Sequence, residues 1–474
     1  MPPHISRRIA SVLLLLALTS RAAGQANVTV DGNQTYQTIR GWGGNSYSWI
    51  LNGWNGWSNP RVYAIAFNEL GTTHVRLVTE FGCWEARNDD EDPEHFNWEY
   101  FASRFEQHDT EALLVQSDFN MMDSLAHRFG KQVLPGIWNV PDWMVTDSTL
   151  TRERDLPRSK HAEFAESVAA YLLWAKNRRG ILISEIVLAN EPDGYQVAYS
   201  PAELRDLIKT VGAKFRREGL TTKIVAPDLA SPYYDPEQWV APLLADSVAA
   251  SYLSAISYHT YFVDGGPDQW NAKFERIAEL AQSKGLAVYF TEIGTTPWNI
   301  PNTTWPWAFE CLQMWHNVLT HGNASRGYQW ALLGRDQAVN ADASRNPIFH
   351  ALQQFFLHVP VAARRVAAQS SHPDLLASAF KHAAQASLTI VLINRAPTAL
   401  TVNLTLQNLK VSSLEAFRTS AQEPHRQLAS LPVAARNLQV TLASQTILTL
   451  TGSLVPEKDV RPPSPPTGVR VRLQ

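Results

Sequence analysis

Along most of the chain, short apolar runs alternate with stretches whose apolar residues recur at helical spacing. Around position 200, Ser200 stands where a helix N-cap belongs, Pro201 takes the first helical position and Glu203 completes a capping box. Leu204, Leu207, Ile208, Val211 and Phe215 then fall on one stripe before Gly219, which predicts an amphipathic helix. A second helix is predicted from Phe164, Val168, Tyr171, Leu172 and Ala175, ending at Gly180. Eight apolar runs read as strands, at 41–45, 74–78, 133–138, 186–189, 224–227, 255–259, 288–291 and 327–330. Eight strands separated by helices predict a closed (β/α)₈ TIM barrel, with an open doubly wound sheet as the alternative. Gly41-Trp42-Gly43-Gly44 lacks the spacing of a dinucleotide loop and no Walker lysine follows it, so the motif that would favour the open sheet is missing.

Beyond about residue 359 the period becomes two. Val402, Leu404 and Leu406 alternate with Thr401, Asn403 and Thr405, and Leu438, Val440 and Leu442 repeat the pattern, which predicts an all-β sandwich with a buried inner face. Residues 27–30 alternate too, and with a turn at Asp31-Gly32 they add an edge strand to that domain. The predicted division is a leader at 1–24, an N-terminal strand segment at 25–40, the barrel at 41–357, the β-sandwich at 358–452 and a tail at 453–474 containing Pro462-Pro463-Ser464-Pro465-Pro466. In the leader, Arg7 and Arg8 precede an apolar run from Ile9 to Leu18 and the small residues Ala22-Ala23-Gly24. That order reads as a secretory signal, too short to span a bilayer, and places the protein as secreted or periplasmic with no membrane span.

Composition narrows the partners. The 474 residues are 45% hydrophobic and 18% charged, enough for a large core. Lys and Arg number 41 against 44 for Asp and Glu, so nothing in the charge points to nucleic acid. Cys83 and Cys311 cannot supply a disulfide framework or a four-thiolate zinc site, and read as buried thiols. The 16 tryptophans fit either a packed core or sugar binding, where an indole stacks on the apolar face of a pyranose.

In such a barrel, reactive side chains sit at the C-terminal ends of the strands. The fourth strand ends Leu188-Ala189-Asn190-Glu191-Pro192-Asp193 and the seventh ends Phe290-Thr291-Glu292-Ile293-Gly294. A carboxylate directly after an apolar strand is costly unless something uses or balances it. Two of them across a barrel mouth suit glycosidic bond cleavage, in which one protonates the leaving oxygen and the other meets the oxocarbenium centre. Simple ion pairing of each glutamate, with Arg76 or Arg335, is the competing reading. Without a His-x-His on the first strand or a ligand partner for His259, neither a metal nor another cofactor is expected.

Asn190-Glu191-Pro192 with Glu292 three strands later resembles the retaining (β/α)₈ glycoside hydrolases. Gly41-Trp42-Gly43-Gly44, Asn190-Glu191-Pro192-Asp193, Tyr258-His259-Thr260-Tyr261 and Ala363-Arg364-Arg365-Val366 make the chain most similar to glycoside hydrolase family 30, over residues 27–452. The resemblance implies a carbohydrate substrate, Glu191 as general acid/base, Glu292 as nucleophile and Asn190 on the sugar 2-hydroxyl. It also implies that Trp330, ending the eighth strand, stacks under the sugar being cleaved. His259 and Tyr261 share one face of an extended segment, so Tyr261 is expected to hold Glu292 and His259 to line the sugar site. Arg76 is expected to steady a catalytic carboxylate. Trp138 ends the third strand as a further sugar contact, and Trp298, Trp305 and Trp307 in the loop after Glu292 are candidate subsite walls. The third-strand turn Asn139-Val140-Pro141-Asp142 departs from the Ser/Pro-rich turn of many relatives and the loop 333–346 matches no substrate signature, which leaves xylan, β-1,6-linked glucan or galactan and glucosylceramide-like substrates open. A non-catalytic carbohydrate-binding protein on the same fold is the alternative function.

Overall fold

The computed structural model describes residues 24–47, 60–147, 154–294, 300–334 and 337–455. The predicted leader up to residue 23, Trp298, Arg335 and the proline run of the tail lie outside the described residues.

Eight parallel strands close into a barrel: Gly41–Tyr47, His74–Thr79, Gln132–Ile137, Glu185–Val187, Lys223–Leu229, Leu253–His259, Ala287–Ile293 and Arg326–Gln329. The eighth pairs with the first, from Arg326 opposite Gly41 to Gln329 opposite Gly44, which excludes the open sheet. The glycines of the first strand are explained by crowding. A Cβ on Gly41 would lie 2.2 Å from the His74 ring, and one on Gly43 would lie 2.6 Å from Tyr328. Inside the barrel, Leu134, Val187, Val225, Ala255, Tyr289 and Tyr328 pack a plug beneath the functional end.

The two predicted helices run Pro201–Arg217 and His161–Arg179. Ser200 Oγ accepts from Glu203 N at 3.2 Å and Glu203 Oε2 accepts from Ser200 N at 2.7 Å, completing the capping box. Gly180 ends the other helix at φ +66°, a left-handed conformation that glycine adopts without a Cβ clash. This second helix is buried well beyond its predicted stripe, with Ala165, Glu166 and Ser167 as enclosed as Phe164 and Val168.

Apart from a two-stranded sheet of Arg154–Asp155 and Val197–Ala198, the remaining strands form a mixed sheet that folds over a core of its own. The segment Gly24–Thr38 corrects the expectation of an edge strand. It lies between Arg364–Ser370, which it pairs antiparallel, and Leu400–Gln407, which it pairs parallel, so Val28 faces both Ser370 and Leu404. Ala26, Val28 and Val30 supply its buried side. The Asp31-Gly32 turn does not end the strand; the register shifts between Asp31 and Thr35 while Asp31 Oδ1 accepts from Asn33 N. In Ser387–Asn394 the sequence is apolar on both sides because both are covered: Leu388, Ile390 and Leu392 face the sheet's own core, whereas Val391 and Ile393 join the core of the barrel and its helices. Arg365 ties the same parts together, donating to Gln37 of the strand Gly24–Thr38, to Thr320 at the end of the barrel helix Trp305–Thr320 and to Asn323 just beyond it.

Trp305 and Trp307 are core residues rather than subsite walls. They open the helix Trp305–Thr320, each is 7% exposed, and Trp305 Nε1 donates to Gln445 O of the sheet domain. Pro306 allows a helix to begin there, and the loop that precedes it is shorter than the sequence reading supposed. Cys83 and Cys311 are free thiols.

Candidate active site

At the C-terminal end of the barrel one cation organises four strands. Arg76, in the second strand and fully buried, donates from Nη1 to Asn45 Oδ1 at 2.9 Å and to Glu292 Oε1 at 2.6 Å. Its Nη2 donates to Asn190 Oδ1 and to Asp228 Oδ2, each at 2.7 Å. Asn45 and Arg76 are register partners on adjacent strands, and Asn45 Nδ2 also donates to Thr291 O at 2.9 Å. Gly136 leaves the space the guanidinium fills, since a Cβ there would come within 3.3 Å of it. The planar fork can satisfy several carboxyl and amide oxygens at once, which an ammonium could not do in one plane.

His259 is the second cation. Its Nδ1 lies 2.9 Å from Glu191 Oε1 and 3.6 Å from Glu292 Oε2, and its Nε2 lies 3.4 Å from Asp228 Oδ2. Burial opposes a charge on the ring, but Glu292, Asp228 and Glu191 outweigh it and push the imidazole up to about 10. For Asp228 burial acts in the other direction, and Arg76 and His259 nevertheless hold it down at about 2. Burial raises the Glu292 carboxyl above the usual carboxylate range, opposed by the charges of His259 and Arg76 and by the hydrogen bond from Tyr261 Oη to Oε2 at 2.8 Å. Burial and the adjacent carboxylates keep Tyr261 protonated, far above its ordinary value.

Glu191 stands just beyond the fourth strand, with its backbone at φ +49°. Its N–H donates to Asp228 O at 3.0 Å, and its carbonyl accepts from Gly194 and Tyr195, so the turn is fastened to the fifth strand. Asp193 Oδ1 adds a bond from Ala230 N at 3.1 Å. The result brings an oxygen of Glu191, a nitrogen of His259 and an oxygen of Glu292 within 4.8 Å of one another. The Glu191 side chain is 16% exposed and that of Glu292 3%. Three acidic and imidazole ligands at this spacing match a metal site in outline. Here Arg76 already occupies one side of Glu292, and both nitrogens of His259 face carboxylates.

The sequence-derived residues therefore converge: Arg76, Asn190, Glu191, His259, Tyr261 and Glu292 form one network. Trp138 and Trp330 stand beside it as a stacked pair, ring centroids 5.4 Å apart and planes at 18°, with Tyr47 edge-on to both. The peptide between Trp330 and Ala331 is cis. Trp143, in the segment after the third strand, donates from Nε1 to Glu85 O at 2.8 Å. Sequence reasoning missed Asp228 and Asn45. Asp228 follows Pro227 at the end of the fifth strand, so the rule that found Glu191 and Glu292, a carboxylate where an apolar strand ends, applies to it equally.

No protein-family model matches the chain, and no curated protein matches it in sequence. Solved structures do match. A GH30 endoxylanase from Clostridium papyrosolvens is 20% identical with a TM-score of 0.72, the match covering 90% of this chain and 100% of that one. A glycoside hydrolase family 30 subfamily 8 xylanase from Clostridium acetobutylicum is 20% identical with a TM-score of 0.71, covering 90% and 99%. An endo-β1,6-glucanase is 18% identical with a TM-score of 0.65, covering 90% and 94%. At these identities the likeness establishes a shared fold, a (β/α)₈ barrel with an attached β domain.

Proposed function

We propose that this chain is a retaining β-glycoside hydrolase of family 30, exported from the cell, with Glu191 as general acid/base and Glu292 as nucleophile. One observation carries the reading: two carboxylates from opposite sides of the barrel mouth meet within 4.8 Å, across a shared histidine. Retaining enzymes hold this pair about 5–5.5 Å apart, whereas inverting enzymes leave about 6.5–9.5 Å for a water. In the first step Glu292 attacks the anomeric carbon as Glu191 gives its proton to the departing oxygen. In the second, Glu191 takes a proton from water as that water displaces Glu292 and releases the sugar.

The network suits both steps. Arg76 and Tyr261 each hold one oxygen of Glu292, which fixes the nucleophile's plane. With His259 protonated, two cations, Arg76 and His259, face the three carboxylates of Glu191, Asp228 and Glu292. His259 is fully buried beneath these carboxylates, a place from which it positions charge instead of touching sugar. Asn190 Oδ1 accepts from Arg76, and the Asn190 side-chain amide N–H group has no partner among the described residues, which fits a bond to the sugar 2-hydroxyl. Xylan and β-1,6-glucan head the substrate candidates, since matched structures carry xylanase and endo-β1,6-glucanase names. Export rests on the N-terminal sequence; no helix among the described residues is long and apolar enough to cross a membrane.

The test is hydrolysis of a panel of polysaccharides and aryl β-glycosides, with proton NMR of the first-formed product. Retained β configuration is expected. An inverted product overturns double displacement, and binding without hydrolysis across the panel favours a carbohydrate-binding protein.

A further inference from the structure

Away from the barrel axis, a second group of carboxylates is enclosed by the protein. Glu85 closes the short helix Phe81–Trp84 that follows the second barrel strand, Asp89 stands four residues further along the same loop, and Glu166 lies on the helix His161–Arg179. Glu85 is 0% and Glu166 1% exposed. One oxygen from each of the three lies within 4.8 Å of the other two. Neither oxygen of Glu166 has a hydrogen-bond partner, and nor does Oε2 of Glu85. Lys214 acts on Glu166 through space, but its ammonium is bonded to Pro93 O, Glu94 and Glu218.

Buried carboxylates in native proteins are paired, hydrogen-bonded or bound to a metal. The first two are absent at Glu166. We propose that Glu85, Asp89 and Glu166 bind one divalent cation, calcium, which fastens the loop following the second barrel strand to the helix His161–Arg179.

The geometry fits that ion. Calcium takes carboxylate oxygens at about 2.3–2.6 Å, so oxygens sharing it lie no more than about 5 Å apart. Asp89 is held ready, its Oδ1 accepting from Asp90 N at 2.8 Å and its Oδ2 from Asn97 N at 3.0 Å, each oxygen keeping a lone pair. All three ligands are hard oxygens, which suit calcium and magnesium over softer metals. A doubly charged ion offsets two of the three carboxylate charges. Trp143 Nε1 bonds the carbonyl of Glu85, so the cation also braces the segment after the third barrel strand.

The full chain, stripped with a chelator and returned to metal-free buffer, is titrated with CaCl2 and separately with MgCl2 while its melting temperature is read. Tb3+ is added in a parallel titration, since Trp84 and Trp143 adjoin Glu85 and sensitise lanthanide emission. The melting temperature is expected to rise with Ca2+ and far less with Mg2+, and tryptophan-excited Tb3+ emission is expected to appear and to be displaced by Ca2+. Glu166→Gln should weaken Ca2+ binding by about 100-fold or more, beyond what an outer-shell change costs. A parent protein indifferent to Ca2+ in both readouts, or a Glu166→Gln protein that binds it as tightly as the parent, overturns the site. The parent titration decides the question even where the variant does not fold.

Discussion

Arg76 donates to Glu292 at 2.6 Å across 216 positions of sequence, and neither side chain is more than 3% exposed. The same guanidinium also holds Asp228, so removing it leaves two buried carboxylates with His259 as their one remaining cation among the described residues. Arg76→Met is expected to lower unfolding free energy by about 3–5 kcal/mol, the range for breaking a buried ion pair from one side. Urea denaturation measures it. Arg76→Lys should recover only part of that loss, because a point charge cannot span four oxygen acceptors.

Glu292→Gln should reduce kcat by about 10⁴-fold or more while leaving ligand binding largely intact, on the scale seen when a nucleophile is removed. Glu191→Gln should cost about 10²–10⁴-fold, as for a general acid/base, and should spare substrates whose leaving group needs no proton. Wild-type rates in the Glu292→Gln protein would falsify the assigned nucleophile.

The charge network predicts how stability depends on pH. Asp228 is held at about 2 against an ordinary 3.8, so its contribution is present above that ordinary value and is lost as pH falls through about 2. His259 is raised from 6.5 to about 10 by Glu191, Asp228 and Glu292 around it, against the effect of its burial. Its contribution is complete below 6.5 and disappears as pH rises through about 10. Glu292, also raised, adds loss in the same alkaline direction from a lower starting point. Denaturation midpoints taken from pH 3 to pH 10 should therefore peak near pH 4, above the ordinary 3.8 of Asp228 and below the ordinary 4.5 of Glu292, and fall further above 6.5. In His259→Gln the decline above pH 6.5 should flatten; an unchanged slope assigns it to other groups.

Tryptophan roles separate by experiment. Trp138→Ala removes the ring stacked on Trp330 and should raise KM roughly 2–10-fold, the worth of one aromatic pair. Trp305→Ala should instead cost about 3–5 kcal/mol of stability with KM unchanged, as expected for a large core residue. Equal effects of both on KM would restore Trp305 to the sugar site.

Much of this arrangement was legible because its signals are local. Each barrel strand is an apolar run bounded by polar residues, and Glu191 and Glu292 stand at the ends of two of them. Asp228 escaped because the strand was closed at Pro227, although the strand runs on to Leu229 through a left-handed Asp228 at φ +66°. The strand Gly24–Thr38 gave its alternation but not its neighbours, which are fixed by pairing with residues more than 300 positions away. Glu85, Asp89 and Glu166 could not be gathered from sequence at all. Glu166 falls outside the apolar stripe of its helix, and only the packing of other elements over that side encloses it.

The position of that first strand also sets an order of events at synthesis. Gly24–Thr38 leaves the ribosome before the barrel does, yet its partners Arg364–Ser370 and Leu400–Gln407 come after it. At about 5–20 residues per second, the strand waits on the order of 20–70 s with both edges unpaired. Its outward positions are Asn27, Thr29 and Asp31, polar side chains that keep a waiting edge from recruiting other chains. The strands made later thus complete a sheet around one made earlier, and the nascent barrel is built between the two.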